Sequence, residues 1–321
     1  MNTTVSLTVL RRSRPLPSIV AICIALTLGS ALLVNGFTLT PNLTNIGLQA
    51  SILLMLSMPM TLVIMSEGLD LSVGALLSLC SVVLAQSLVA GHGIMFSLGL
   101  SMLVGLAFGL FNGALVALLA LPPFVVTLGT FGVAQGAALV LTDGNSVAGF
   151  GPAISSFYAS SVAGIPLPVL IAAGCWLLTH VLLYHTRFGT YVFAIGGNRD
   201  ALVLAGVRTN LYHIGIYALT GLVVGVTAVL LTGRMNSAHP TGAIGMEFDA
   251  IAAVVLGGTA FEKADGWLFG TVMGVLTICI LRNMLNLLGI ESSLQMVSIG
   301  ILVLLVILID SWNKTRKGRT K

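Results

Sequence analysis

The sequence predicts an all-α polytopic membrane protein of about ten transmembrane helices, including broken or re-entrant segments, with two pseudo-symmetric halves hinted at. Three observations predict it. Of 321 residues, 57% are hydrophobic and only 7% are charged, whereas a soluble domain carries about 25% charged residues. The mean hydropathy of +1.07 comes in long unbroken apolar runs, not in the alternating segments of a transmembrane barrel. None of the 14 Lys and Arg residues falls between Pro15 and Thr186. So few polar side chains exclude a soluble enzyme, a nucleic-acid-binding domain and a disordered chain.

The apolar runs follow in order. Arg11, Arg12 and Arg14 precede the first, at 17–36. No small-residue cleavage site follows it, so a retained helix is expected rather than a secretory signal. Further runs occupy 47–65, 71–90, 94–121, 123–142, 165–184, 213–232, 248–259, 266–289 and 295–310. Under the positive-inside rule both termini face the cytoplasm, which requires an even number of spans. The loop with Arg187, Arg199 and Arg208, the turn with Lys263 and the tail with Lys314, Arg316, Lys317, Arg319 and Lys321 then all lie inside. The Lys- and Arg-free stretch 143–164 lies outside, and only Arg234 falls on the wrong side. The chain reads as one transmembrane domain over 1–321, with a cytoplasmic N-terminus (1–16), a cytoplasmic loop (185–212) and a basic tail (311–321). The pI near 9.0 is a matter of topology and needs no nucleic acid. The run at 248–259 is too short to cross ~30 Å and reads as half of a re-entrant element.

Glycine, at 37 residues, recurs at helical spacing. Gly105 with Gly109 and Gly270 with Gly274 make GxxxG steps, expected to pack helices within the chain, with dimerisation as the alternative. Asn112 lies 17 residues before Gly129 and Asn283 lies 17 before Gly300, which suggests a repeat of the kind built into many transporters. Cys23, Cys80, Cys175 and Cys279 lie in apolar runs without CxxC or metal-ligand spacing, so structural packing is expected.

Two acidic clusters stand out. Glu67 and Asp70 fall between the second and third runs, in Ser66–Gly74. Gly68 and Gly74 allow the backbone to break there, and Ser72 can cap the next helix. A broken helix pair lining a pathway and a plain interfacial cap both fit. Glu247 and Asp249 head the short run, downstream of Asn236, Ser237, His239 and Pro240. No HExxH, Walker loop or nucleophile elbow occurs, which leaves a hydrolase or an ATP-binding chain without support. Asn198 can cap a short helix that Gly206 stops, with Ala201, Leu202, Leu204 and Ala205 on its apolar side. That helix suits either the membrane surface or a cytoplasmic partner.

Four motifs resemble a known family. GLDLSVGA (68–75), NGALVALLALPPFVVTLGT (112–130), TRFGTYVFAIGGNRDALVLAGV (186–207) and EFDAIAAVVLGGT (247–259) are similar to the permease subunits of ribose/galactose/xylose-type ABC importers, in a likeness running from about 45 to Asp310. The resemblance implies a tandem-domain ATP-binding subunit, a periplasmic substrate-binding protein, a second permease copy (identical or paralogous), a bacterial cytoplasmic membrane location, and no cofactor. It also implies that Arg187, Gly189, Gly196, Gly197, Asn198, Ala201, Ala205 and Gly206 belong to the element that docks into the ATPase. The family's Gly-rich turn after GGT is replaced here by Ala260–Trp267. The function so implied is import of a monosaccharide or small polyol by alternating access, driven by a separate ATPase. Sugars are neutral and hydroxyl-rich, so Glu67, Asp70, Asn112, Thr127, Thr130, Gln135, Asn236, Glu247, Asp249, Asn283 and Asn286 are candidates for the pathway. The rival reading is a stand-alone ion-coupled transporter, with Glu67, Asp70 and Asp249 supplying the ion site.

Overall fold

A computed structural model describes residues 18–259 and 266–318. The N-terminal residues 1–16, Lys263 with the rest of 260–265, and Arg319 and Lys321 lie outside the described residues. In chain order the helices are α1 (Ser18–Leu33), α2 (Thr40–Met65), α3 (Val73–Val89), α4 (Ile94–Leu118), α5 (Pro123–Thr142), α6 (Ala153–Ala159), α7 (Leu167–His185), α8 (Arg187–Leu204), α9 (Thr209–Met235), α10 (Met246–Leu256), α11 (Leu268–Leu287) and α12 (Ser292–Gly318). The described sheet is one two-residue antiparallel pair, Ser161–Val162 with Ile165–Pro166. The all-α expectation is borne out.

All ten apolar runs become helices, but they differ in length. Among the described residues six are long and apolar enough to cross a membrane: α2, α4, α5, α7, α9 and α11. α1 and α3 stop at 16 and 17 residues, and α12 runs 27 residues, its apolar stretch leading into the basic tail. α10 has 11 residues, about 16 Å at 1.5 Å per residue, and cannot span as a helix alone. α2 begins at Thr40 rather than 47, because Pro41 suits a first helical turn, where its missing N–H has no bond to lose.

α2 is the central post: Met55–Met65 is buried without a break, and α7, α9, α10 and α11 all pack on it. Lipid offers no hydrophobic drive between helices, so close backbone approach carries the packing. α4 and α9 show how close. A Cβ at Gly105 would lie 2.1 Å from the Gly221 carbonyl oxygen, and one at Gly109 would lie 2.2 Å from that of Tyr217. Ser101 Oγ donates to Gly225 O at 3.0 Å in the same seam. α10 and α11 repeat the arrangement: Gly270 faces Gly257 O and Gly274 faces Ala253 O, each 2.0 Å from a would-be Cβ. Both GxxxG steps are therefore used within the chain. All four cysteines are free thiols.

Candidate functional site

Two breaks in the helices gather the polar residues. The first joins α2 to α3. The chain leaves α2 at Ser66, turns through Glu67 at φ +63°, and passes Gly68, where a Cβ would lie 2.9 Å from the Tyr217 hydroxyl of α9. Asp70 is 2% exposed. Its Oδ1 accepts the Ser72 N–H at 2.9 Å and the Ser72 hydroxyl at 2.6 Å. Ser72 Oγ in turn accepts from Asn112 Nδ2 of α4 at 3.0 Å, and Thr127 of α5 donates to Leu69 O at 3.1 Å. The cap expected from Ser72 is thus corrected. Ser72 stands at the N-cap position without a side-chain cap bond, because its hydroxyl is committed to the relay from Asn112 to Asp70.

The second break joins α9 to α10. Asn236, at φ +50°, ends α9 and is exposed. Ala238 and Val147 exchange backbone bonds at 2.9 and 2.8 Å, and His239 Nδ1 lies 2.5 Å from Ser146 Oγ. Gln135 Nε2 of α5 donates to Pro240 O at 3.1 Å, and the Ala243 N–H donates to Ser78 Oγ of α3 at 3.0 Å. The segment therefore descends from a surface clasp to the buried head of α10. There Glu247, 1% exposed, accepts the Gly245 N–H at 3.0 Å, the place where a helix dipole favours an anion. Asp249 pairs instead with Arg282 of α11, at 3.1 and 3.0 Å. The next residue, Asn283, exchanges amide bonds of 2.7 and 3.0 Å with Asn42 of α2.

The candidates thus separate. Asp70, Asn112 and Thr127 meet at the first break. Gln135, Asn236, Glu247 and Asp249 belong to the second. Thr130 bonds back to Val126 O in its own helix, Glu67 and Asn286 are exposed, and Asn283 belongs to the Asn42 pair. Asp70, Asn112, Thr127, Thr130, Glu247 and Asn283 are all buried, so they present no open wall to a solute in this conformation. Asn42, Ser78, Tyr217 and Arg282 are partners that the sequence reading did not single out. Arg282 had a signal: it is a cation inside the apolar run 266–289. Among the described residues no group of three His, Cys, Asp or Glu side chains gathers to hold a metal. Arg234, the outlier of the charge pattern, ends α9 beside Tyr158 of α6. Burial pushes the Tyr158 hydroxyl above its ordinary range, and the Arg234 charge opposes that shift.

The third feature is α8. It begins at Arg187, well before Asn198, and is bent at Asn198 (φ −164°, ψ 92°). Asn198 Oδ1 accepts the Ala201 N–H at 2.9 Å, which is N-cap geometry for the last turn, and Gly206 at φ +79° ends the element. Leu204 is 89% and Val203 54% exposed; Arg187, Gly197, Asn198, Ala201, Ala205 and Gly206 are exposed as well. Gly189 and Gly196 are buried and so have nothing to offer a partner. A Cβ at Gly189 would lie 1.8 Å from Leu183 O, so this glycine lets α8 fold back against α7. Tyr191 and Tyr212, with ring centres 4.7 Å apart, tie α8 to α9.

Apolar helices broken at two buried polar junctions, with an exposed apolar turn on one side, define a multi-pass membrane transport protein. Residues 42–307 match the family described as branched-chain amino acid transport system / permease component, and the chain belongs to that family. It is 39% identical to the ribose import permease protein RbsC of Bacillus subtilis (strain 168), over 84% of each chain. It is 36% identical to the ribose import permease protein RbsC of Escherichia coli (strain K12), over 92% of each. It is also 35% identical to the D-allose transport system permease protein AlsC of Escherichia coli (strain K12), over 85% of this chain and 84% of that one. No solved structure gives a significant match.

Proposed function

We propose that the protein is the permease subunit of an ATP-binding cassette importer that carries a monosaccharide or small polyol across the bacterial cytoplasmic membrane. The observation that carries the substrate class is the similarity to ribose and allose permeases along most of the chain. The driving subunit is a separate ATPase with tandem nucleotide-binding domains, and a periplasmic binding protein delivers the sugar to a pair of permeases. Both termini and α8 face the cytoplasm, with 143–164 outside. Val203, Leu204 and Ala205, an exposed apolar turn, form the docking surface that the ATPase covers. Closure of the ATPase dimer pushes on this turn, and the packed helices switch between two arrangements. The two breaks, around Asp70 and Glu247, are where the pathway helices hinge.

Ala205→Glu tests the docking assignment. A charge buried unpaired at a contact costs on the order of several kcal/mol, so co-purification of the ATPase and sugar uptake should both be lost while membrane insertion persists. Wild-type levels of both would remove α8 from the coupling role.

A further inference from the structure

The surface around Arg282 differs from the rest of the apolar shell. Arg282 sits on α11, five residues before that helix ends at Leu287, and its Nη2 binds both carboxylate oxygens of Asp249 in the first turn of α10. The pair is not sealed: its side chains are 35% and 17% exposed. Beside Asp249, Phe248 is 62% exposed. Asn286, one turn beyond Arg282 and on the same side of α11, is exposed too.

Charged groups turned toward hydrocarbon are costly, and those in membrane helices face a water-filled cavity or a partner. The short Asp stem cannot reach for the headgroups as a Lys or Arg chain can. A partly exposed ion pair of this kind suits an aqueous path better than lipid. A guanidinium carries five N–H donors, and here a single nitrogen serves Asp249. The remaining nitrogens, the outer lone pairs of Asp249 and the Asn286 amide offer donors and acceptors in fixed planes. Each sugar hydroxyl both donates and accepts, and the C–H face of a sugar ring is apolar, as is the Phe248 ring.

We propose that Phe248, Asp249, Arg282 and Asn286 form a contact point for the transported sugar on the pathway wall, an inference that rests on the monosaccharide assignment. Arg282 donates to hydroxyl oxygens, Asp249 accepts from a hydroxyl while keeping the guanidinium in place, Asn286 adds one amide, and Phe248 covers the ring face.

Phe248→Ala and Asn286→Ala leave the ion pair intact and so separate ligand contact from structural support. The assay uses the full complex, with ATPase and binding protein, in proteoliposomes, with ribose and allose as probes. Each variant should lower sugar imported per ATP hydrolysed by about fivefold, equivalent to about 1 kcal/mol. Assembly by size exclusion and stimulation of ATP hydrolysis by the loaded binding protein should both match wild type. Unchanged import in both variants would overturn the inference. Loss of assembly would also overturn it, by showing the surface to be an interface between permease copies. A wild-type complex that imports none of ribose, allose and a panel of other monosaccharides and polyols would overturn the monosaccharide assignment and this inference with it.

Discussion

Gly74 packs directly against Glu247: a Cβ at position 74 would lie 1.9 Å from the Glu247 carboxylate oxygen Oε2 and 2.7 Å from Ala243 O. The first turn of α3 and the head of α10 are therefore in contact only because residue 74 has no side chain. Each helix starts at a break, and each break carries a buried acid, Asp70 or Glu247. The two breaks thus rest against each other.

Gly74→Ala should force Glu247 or the 243–245 backbone to move. Overpacking of this kind costs about 1–3 kcal/mol. The thermal unfolding midpoint of the purified protein in detergent should fall, and uptake should fall with it. A midpoint equal to wild type would show that Glu247 swings away freely.

The α4–α9 seam gives a second contrast. Gly105→Ala and Gly221→Ala each place a carbon about 2 Å from a facing carbonyl oxygen, and both should lower the folded yield and the unfolding midpoint. Gly132→Ala on α5, where nothing lies within 4 Å, should leave the folded yield unchanged and hold or raise the midpoint, since Ala is the better helix former by about 0.8–1 kcal/mol. Equal effects at the three positions would contradict the assignment of the seam.

Much of this was legible in the residues because each signal was local. Apolar runs marked each of the membrane-length helices, since hydrocarbon admits little else, and Asn198 with Gly206 marked the last turn of α8. Asp70, Asn112 and Glu247 stood out as polar groups in apolar surroundings. Partnership was not local. Ser78 looked like any serine in an apolar helix, where such a hydroxyl ordinarily bonds back within its own helix, yet it accepts from Ala243 across the fold. Arg282 was overlooked because positive charge was read as a topology signal for loops. The upstream half of α8 was missed because Gly189, Gly196 and Gly197 are poor helix formers; contact of Gly189 with the end of α7 overrides that propensity.

Asp70 separates capping from charge. Asn keeps an oxygen that can accept the Ser72 N–H and hydroxyl, so Asp70→Asn should retain substantial uptake. Asp70→Leu leaves a buried donor unpaired, at about 1–3 kcal/mol, and should lose folded protein and uptake together. Immunoblot with uptake in a strain lacking the native permease distinguishes the two. Loss of transport in Asp70→Asn at normal abundance would mean that the carboxylate charge itself is needed, as ion coupling would require.

A separate ATPase is expected to drive this chain, and reconstitution in proteoliposomes tests that. Sugar uptake is measured with the permease alone under proton or sodium gradients, then with the ATPase and binding protein present and ATP supplied. No concentrative uptake is expected in the first case and ATP-dependent uptake, abolished by Ala205→Glu, in the second. Gradient-driven accumulation by the permease alone, independent of ATP, would contradict that expectation.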